Sequence, residues 1–398
     1  MTVETGDRRS NGEEPRPLRI AMIGTRGVPA AYGGFETAVE EVGRRLVERG
    51  HSVLVYGREA GDGSAYHLGM RRVTLPAVRQ KALETLSHSA LSTVHAVTRA
   101  RPDVALVFNA ANSPFLPLLR ARGIPTALHM DGLEWRRSKW GRRGREYYRW
   151  AEEFGVRNAD ALIADAPGIA DYYTDEFDVA TEVLRYGAPL LHDAPTAGVE
   201  AMGLEPGAYH LVVARFEPEN HVREIVEGFR ASTARLPLVV VGSAPYAAEY
   251  TQRISAAADG DPRIRLVGGI YDQGLLDALY VHALTYLHGH SVGGTNPSLL
   301  RAMGAGTAVA AYDVNFNREV LDDSGWFFTT SDDVARQYSE LEDDPAHARA
   351  LGDAARERAA REFRWSDVAL GYESLAQRLA RGESVHPAAR RARRRPRA

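Results

Sequence analysis

Two segments of the chain carry groups that could bind a diphosphate. In ARFEPENH (214–221), Arg215 closes a predicted strand, and its planar guanidinium can donate two parallel hydrogen bonds to phosphate, which lysine cannot copy. In HGHSVGGTNPSLLRAMGAG (288–306), Asn296 has the position of a helix N-cap and Pro297 that of the first helical residue. The loop amides and this helix N-terminus would form an anion site. The sequence therefore predicts phosphate binding in the second half of the chain.

Each of these contacts has a plainer alternative. Arg215 could instead form a surface ion pair with Glu217 or Glu219. The second loop could be no more than the start of a helix. His288 and His290 have an H-x-H spacing, but no third ligand stands out, so a metal site is not predicted.

A glycine-rich segment follows the first predicted strand. In GTRGVPAAYGGFE (24–36), the candidates for phosphate contact are Gly27, Gly33 and Gly34. Glycines let backbone N–H groups approach an anion closely, and the following helix N-terminus adds partial positive charge. The segment is not G-x-G-x-x-G, so a purely structural turn remains the alternative.

The segment HMDGLEWRRSKWGRR (129–143) also follows a predicted strand. His129 or Asp131 could accept a proton or orient a hydroxyl, and we name both as catalytic candidates. The acceptor-side candidates are Glu134, Trp135, Lys139 and Trp140, of which the tryptophans could stack on a sugar ring. Alternatively, Asp131 caps a turn, Trp135 lies in the core and the arginines form a solvated face.

Composition sets the class of protein. The 398 residues are 44% apolar and 25% charged, which are ordinary globular values and suffice for two cores. The absence of cysteine excludes disulfides and Cys-ligated metals. No stretch is apolar for long enough to span a bilayer, and the N-terminus has no apolar signal region. We therefore expect a soluble, cytoplasmic protein.

Charge is concentrated at the C-terminus. The net charge is −3, and the last nine residues, RRARRRPRA, contribute +6, so the rest of the chain carries −9. An acidic body argues against nucleic-acid binding. The arginines of the tail, from Arg390 to Arg397, could bind an anionic membrane surface, or the tail could simply be disordered and solubilising.

Short apolar runs alternate with amphipathic stretches along most of the chain, which predicts parallel sheets covered by helices on both faces. The fold class is α/β: two doubly wound Rossmann-like domains that face each other across a cleft, where ligands of such sheets bind. The expected units are a disordered N-terminus (1–17), an acceptor-side domain (18–190), a donor-binding domain (208–365), a C-terminal helix (366–385) and a disordered basic tail (386–398).

Four of these segments together resemble the GT-B glycosyltransferases of the retaining family four, and especially their rhamnosyltransferase-type branch in bacterial polysaccharide assembly. The matching pieces are IGTRGVPAAYGGFET, DGLEWRRSKW, VARFEPEN and HGHSVGGTNPSLL. The resemblance implies transfer of a sugar from a nucleotide-diphosphate donor to a hydroxyl. It also implies that no metal or other cofactor is needed and that the last helix crosses back onto the first domain.

The resemblance also implies roles for particular residues. Arg215 would contact the donor diphosphate, and the loop and helix start at 289–299 would hold the sugar and phosphates. The donor- and phosphate-binding candidates are Gly27, Gly33, Gly34, Arg215, Asn220, Ser291, Gly293, Gly294, Thr295, Asn296, Ser298 and Leu299.

The sequence departs from the family at two places. Asn220 stands where many members have a lysine, although this branch commonly has asparagine there. The family's E-x7-E motif aligns with Gly293 and Arg301; the glycine suits the branch, but the arginine does not. A carboxylate accepts hydrogen bonds from ribose hydroxyls, whereas a guanidinium can only donate.

The sequence therefore predicts a retaining, metal-independent hexosyltransferase, with rhamnose the leading sugar. The acceptor would be a glycan or a lipid-linked glycan in cell-envelope polysaccharide synthesis, at the inner membrane face. Because of Arg301, a catalytically silent nucleotide-binding or partner subunit is the alternative. A GT-B epimerase is a further possibility, whereas a phosphorylase would need a lysine in the second half, where there is none.

Overall fold

The computed structural model describes residues 16–30, 34–58, 63–78, 80, 83–130, 132–137, 140–243 and 248–384. Several predictions concern residues outside these ranges: those for Gly33, Asp131, Lys139, most of the segment 1–17 and the basic tail at 386–398. They stay predictions.

The first half of the chain forms one eight-stranded sheet with the order β3-β4-β2-β1-β5-β6-β7-β8. β3 is antiparallel to β4, and every other neighbouring pair is parallel. The strands are β1 (Arg19–Ile23), β2 (Ser52–Gly57), β3 (Tyr66–His67), β4 (Met70–Thr74), β5 (Val104–Phe108), β6 (Thr126–Met130), β7 (Ala161–Ala164) and β8 (Glu182–Val183).

Helices connect these parallel strands and cover both faces of the sheet. They are α1 (Gly34–Glu48), α2 (Glu84–His95, extended by a π-helical turn at Ala96–Ala100), α3 (Leu116–Ala121), α4 (Arg142–Asn158) and α5 (Pro167–Phe177). α1 packs in one hydrophobic cluster, whereas α3, α4, α5 and the turn after α2 pack in another. Strands β5, β6 and β7 are buried at every residue, as expected for a sheet covered on both faces.

The second half forms a six-stranded, all-parallel sheet with the order β11-β10-β9-β12-β13-β14. Its strands are β9 (His210–Val213), β10 (Leu238–Val241), β11 (Ile264–Gly268), β12 (Thr285–His288), β13 (Ala308–Tyr312) and β14 (Trp326–Phe328). Helix α6 (Ala197–Ala201) precedes this sheet. The later helices are α7 (Val222–Ala231), α8 (Ala248–Ala258), α9 (Gln273–Val281), α10 (Pro297–Ala305), α11 (Asn315–Leu321), α12 (Ser331–Asp343), α13 (Pro345–Glu362) and α14 (Trp365–Ala380).

The two doubly wound sheets confirm the predicted fold class. Three elements had no counterpart in the sequence prediction: the short hairpin strand β3, helix α6 and helix α11. β3 has two residues and α6 has five, which is too short for a periodic pattern, and α6 lies in a segment rich in Pro and Gly. Within the described residues, no helix is long and apolar enough to cross a bilayer.

Helix α14 returns to the first half and packs against α1. The buried carboxylate of Glu373 accepts a hydrogen bond from Arg49 Nε at 2.5 Å and one from His51 Nε2 at 2.8 Å. The main-chain N–H of Leu18 donates to His51 Nδ1 at 3.1 Å, so Nε2 must carry the ring's proton. These bonds and the shared core fix the last helix on the first sheet.

Candidate active site

The carboxyl ends of the two sheets meet, and glycines allow the closest contacts. A Cβ atom on Gly132, which follows β6, would lie 3.0 Å from Gly293 Cα in the loop after β12. A Cβ on Gly294 would lie only 2.0 Å from Asp165 Oδ1, which follows β7. Thr295 Oγ1 donates a hydrogen bond across the same boundary to the carbonyl of Asp165, at 2.7 Å. The halves therefore touch at the loops in which the sequence placed its ligand-binding candidates.

Two helix N-termini face each other at this boundary. A Cβ on Gly34, the first residue of α1, would lie 3.1 Å from Pro297 Cγ at the start of α10. Asn296 has extended backbone angles, and its side chain accepts from Ser298 N at 2.9 Å, as predicted for the N-cap. The partial positive charges of both helix N-termini therefore lie close together. This arrangement favours an anion there.

Arg215 follows β9, the neighbour of β12 in the second sheet, so it lies at the same carboxyl edge as the loop that leads to α10. Its guanidinium is partly exposed and lies 3.7 Å from a carboxylate oxygen of Glu217, the loose ion pair that the sequence left open as an alternative. It is also close enough to His290 to lower the pKa of that imidazole, together with burial and the charge of Arg137. A half-exposed guanidinium with one distant partner remains available to a phosphate.

Asn220 fixes the main chain at Arg215, and its contact with phosphate stays a prediction. Its Nδ2 donates to the Arg215 carbonyl at 2.7 Å. Because that carbonyl can only accept, Asn220 Oδ1 faces His290 Nδ1, 2.7 Å away, and the imidazole donates. Both polar atoms of this buried amide are thus engaged by protein, so Asn220 is a positioning residue.

Arg137 is a cation of the site that the sequence reading did not select. It is only 8% exposed, and its Nε lies 2.6 Å from Glu134 Oε2. One of its Nη atoms lies 4.0 Å from where a Cβ on Gly293 would be, so the guanidinium reaches the boundary between the halves. The sequence signal for Arg137 was a group of five basic residues within 136–143. Their spacing alone could not show which of them faces inward.

His129 is the penultimate residue of β6 and lies inside an aromatic cage. The rings of Phe35, Phe108 and Tyr186 lie 5.0, 5.6 and 6.2 Å from it, centroid to centroid. Burial lowers its pKa to about 3, and its Nδ1 has no hydrogen-bond partner among the described residues. A group with so low a pKa is a weak base near neutral pH, which disfavours the proton-accepting role.

The described acceptor-side candidates already have protein partners. Glu134 accepts a hydrogen bond from Trp140 Nε1 at 3.2 Å, besides its contact with Arg137. The Trp140 ring lies 4.9 Å from the Tyr148 ring, and the guanidinium of Arg149 lies 4.3 Å from the ring centre of Trp135. These contacts occupy an aromatic face of each tryptophan, which limits the predicted stacking on a sugar.

Packing accounts for the side chains of three donor-site candidates, whose contacts with a ligand through main-chain amides stay predictions. Leu299 is fully buried in the core, so its predicted contact rests on its main-chain N–H alone. Thr295 is 4% exposed, and its hydroxyl joins the two halves. Gly27 has φ +104°, and a Cβ there would lie 2.6 Å from Gly57 Cα, so close packing against β2 explains this glycine. Ser291 is half-buried and donates to the Glu219 carbonyl at 3.1 Å.

Arg301 has an acidic partner on the neighbouring helix. Its Nη1 forms an ion pair with Asp277 of α9, and Gln273 Nε2 donates to the same carboxylate at 2.8 Å. The guanidinium of Arg301, which stands in place of the family's glutamate, is therefore neutralised within the protein by the carboxylate of Asp277.

In the described part of the chain, no group of three or more His, Asp or Glu side chains could hold a metal ion. The groups that meet at the boundary are instead guanidinium ions and main-chain amides. Two Rossmann-like parallel sheets whose carboxyl edges face each other define a GT-B type of fold.

Two family models match the chain and together span most of it. A "Glycosyl transferase 4-like domain" matches residues 33–187, and "Glycosyl transferases group 1" matches residues 204–358. The chain belongs to the group 1 glycosyltransferases, the retaining and metal-independent family four, which use nucleotide-sugar donors. No curated protein matches it in sequence.

Solved structures confirm the GT-B fold. Sucrose-phosphate synthase from Thermosynechococcus elongatus is 21% identical with a TM-score of 0.79, and the match covers 92% of this chain and 100% of that one. Anabaena HepE in complex with UDP-glucose is 14% identical with a TM-score of 0.73, covering 90% and 99%. A glycosyltransferase from Rickettsia africae is 12% identical with a TM-score of 0.70, covering 92% and 100%.

The close contact at Gly294 can be tested by adding one methyl group. Gly294→Ala places a Cβ against the Asp165 carboxylate, so we expect the protein to lose about 1–3 kcal/mol of stability through forced repacking. Gly274→Ala in α9 is the control, because a Cβ there meets only Asp272 Oδ1, at an ordinary contact distance of 3.4 Å. Urea unfolding of both variants measures the difference. Equal stabilities would contradict the close approach of the halves.

The buried state of His129 predicts a pH dependence. The unfolded chain binds a proton at this imidazole below its ordinary pKa of 6.5, whereas the folded protein does so only near pH 3. Stability should therefore fall as the pH drops below 6.5. Between pH 7.5 and 5.5, the free energy of unfolding of His129→Leu should fall by about 1.3 kcal/mol less than that of the parent protein. Urea unfolding at both pH values tests this, with the exposed His347→Leu as control; identical pH slopes for all three proteins would contradict it.

Proposed function

We propose that this glycosyltransferase moves rhamnose from a nucleotide-diphosphate donor to a hydroxyl of a glycan or lipid-linked acceptor in cell-envelope polysaccharide synthesis, at the cytoplasmic face of the membrane. The donor diphosphate lies between Arg215 and the N-termini of α1 and α10. The observation that carries the proposal is the meeting of these three cationic groups at one boundary between the sheets.

The chemistry follows from where negative charge develops. When the bond from sugar to phosphate breaks, the leaving diphosphate gains charge, and preorganised donors at that point lower the barrier. Arg215 supplies a guanidinium, and the helix starts supply main-chain amides. Arg137, held by Glu134 at 2.6 Å, adds a second cation on the side of the first domain. The leaving group is thus neutralised by the protein itself.

We assign the two remaining roles, which act on hydroxyl groups, to His129 and Asp131. His129 is neutral and has a free ring nitrogen, so it orients a hydroxyl of the sugar or acceptor. Asp131, two residues further on, is the proposed second catalytic residue on the strength of its sequence position.

The choice of rhamnose is supported by the motif pieces IGTRGVPAAYGGFET and HGHSVGGTNPSLL, which resemble the rhamnosyltransferase-type branch. The HepE structures with UDP and UDP-glucose support a uridine donor as the competing choice. A donor panel therefore includes deoxythymidine-diphosphate-rhamnose and UDP-glucose, with nucleotide release and product formation as readouts. Turnover of the rhamnose donor alone supports the proposal; preference for UDP-glucose overturns the choice of sugar.

Arg215 is the first residue to test. Arg215→Lys keeps the charge but loses the two-pronged geometry, so we expect kcat/KM for the donor to fall about hundredfold. Arg253→Lys, on an exposed face of α8, is the matched control and should be near the parent protein. Calorimetric binding of the nucleoside diphosphate separates weaker binding from slower chemistry. Unchanged kinetics in Arg215→Lys would contradict binding of the diphosphate at Arg215.

The ion pair of Arg301 and Asp277 favours a second candidate function, a nucleotide-binding subunit without turnover. Arg301→Glu alone would set two carboxylates side by side, so the informative variant is Arg301→Glu with Asp277→Asn. In a silent subunit, the parent protein binds nucleotide without turnover and the double variant gains it. In the proposed enzyme, the parent is active and the double variant is weaker or changes its donor preference.

A further inference from the structure

The loop after β12 brings an imidazole to the boundary between the two halves. His290 is only 7% exposed, and its Nε2 lies 3.1 Å from the point that a Cβ atom on Gly293 would occupy. One Nη atom of Arg137, from the first half, lies 4.0 Å from the same point. Apart from the residues next to Gly293 in the chain, no other atom of the described residues lies within 4 Å of it. Because Gly293 has no side chain, a ligand group can reach both the imidazole and the guanidinium from this side.

A neighbouring amide determines which ring nitrogen of His290 carries the proton. Asn220 Nδ2 is committed to the Arg215 carbonyl at 2.7 Å, so Asn220 Oδ1 accepts from His290 Nδ1, also at 2.7 Å. Burial, together with the charge of Arg137, keeps the pKa of this imidazole well below its ordinary value, so the ring is neutral near pH 7. Its Nε2 therefore carries a lone pair, and in the described part of the chain no group donates to it.

The main chain on both sides of this imidazole is also held. The His290 carbonyl accepts from Asn317 Nδ2 at 2.9 Å, and the main-chain N–H of Ser291 donates to the Glu219 carbonyl at 2.9 Å. The ring of Phe316 lies 6.1 Å from the imidazole, centroid to centroid. A side chain that is fixed in this way loses little conformational entropy when a ligand binds. The lone pair on Nε2 is therefore preorganised at the boundary.

The space beside Gly293 thus presents one hydrogen-bond acceptor and one cationic donor. A phosphate oxygen fits it poorly, because it cannot donate to the lone pair of His290. A metal ion fits it poorly as well, because the guanidinium of Arg137 would repel a cation. A hydroxyl group fits both neighbours, since it donates one hydrogen bond and accepts another. The chemistry of this space is therefore that of a hydroxyl site.

We propose that His290 Nε2 accepts a hydrogen bond from a hydroxyl of the transferred sugar, and that the oxygen of this hydroxyl accepts one from an Nη atom of Arg137. His290 is then a specificity-determining residue. A donor whose sugar lacks a hydroxyl at this place would leave a buried lone pair without a partner, and a site of that kind discriminates strongly against such an analogue.

This inference rests on the proposed function, which places the donor diphosphate between Arg215 and the N-termini of α1 and α10. The loop that contains Gly293 leads directly into α10, and Asn220 joins His290 to the main chain of Arg215 through two hydrogen bonds. A sugar attached to that diphosphate would bring its hydroxyl groups to the space beside Gly293. The same amide therefore positions both the diphosphate-binding arginine and the sugar-binding histidine.

The experiment compares a nucleotide sugar with its own nucleoside diphosphate. Calorimetry measures binding of UDP and UDP-glucose, and of deoxythymidine diphosphate and deoxythymidine-diphosphate-rhamnose, to the full chain without acceptor. His290→Asn keeps an N–H for Asn220 at the place of Nδ1 and removes the ring atom that faces the boundary. It should bind the nucleoside diphosphate within about twofold of the parent, and the nucleotide sugar that the parent binds about tenfold more weakly.

Spectroscopy of the parent protein gives a second readout, which does not depend on how well a variant folds. With ¹⁵N-labelled histidine, the Nε2 resonance of His290 should move upfield when the nucleotide sugar binds, because this nitrogen then accepts a hydrogen bond. It should stay in place when the nucleoside diphosphate binds. The spectrum of His290→Gln, which lacks this resonance, assigns it.

Two further variants separate a contact with sugar from a structural role. His290→Gln returns an amide oxygen, which can accept, to the place of Nε2 and should recover part of the sugar binding. His221→Asn is the matched control, because Nδ1 of that imidazole lies 2.8 Å from the Gly289 carbonyl and its ring stacks on Tyr312 at 3.9 Å. This control should change the binding of nucleotide sugar and nucleoside diphosphate by the same factor. Thermal unfolding of all variants measures any loss of stability.

Three outcomes would overturn the inference, each in a different way. Equal weakening of both ligands in His290→Asn would show that the ring supports Arg215 rather than contacting sugar. Unchanged binding of both ligands, with an unmoved Nε2 resonance, would exclude the contact, and a raised KM for the acceptor would then place the ring on the acceptor. A parent protein that binds none of the four ligands would overturn the proposed function itself and this contact with it.

Discussion

The site depends on how closely two backbones can approach without side chains between them. Gly132 and Gly293 bring the loops after β6 and β12 into direct contact, and Gly294 lies against Asp165 where even a methyl group would collide. Gly132 has φ +57° and Gly293 φ +140°, conformations that glycine adopts freely. This contact sets the distance between the sheets, and that distance determines which cations can act on one ligand.

Once the halves are this close, the electrostatics of the boundary follow. The N-termini of α1 and α10, the guanidinium of Arg215 and that of Arg137 all bring positive charge to the same place. The neighbouring imidazoles add none, because burial lowers the pKa of His129 and of His288 to about 3 and that of His290 well below its ordinary range. Glu134 and Glu217 are the carboxylates beside these guanidinium groups, and Glu217 lies 3.7 Å from Arg215. The proposed diphosphate would neutralise the positive charge that remains at this boundary.

The sequence predicted the features that depend on local rules. The alternation of strands and helices and the N-cap at Asn296 follow from propensity and capping, and the structure has them. Arg215 was selected as a candidate because it closes a predicted strand, and strand ends of a parallel sheet share one edge. Arg137, the positioning role of Asn220 and the partner of Arg301 were not found, because each depends on a contact between segments far apart in the chain. Periodicity carries no information about such contacts.

Helix α2 shows a second limit of prediction from the sequence. A pattern of polar and apolar residues shows that two faces of a helix differ, but not which of them is buried. In α2 the polar face is buried, and it forms hydrogen bonds to β2. Gly57 at the end of β2 accepts from His88 of α2, and its Cα is also the surface against which Gly27 packs. Helix α2 and the loop that leads to the N-terminus of α1 are thus held by the same residue. The orientation of α2 and the course of the glycine-rich loop therefore both depend on the main chain at Gly57.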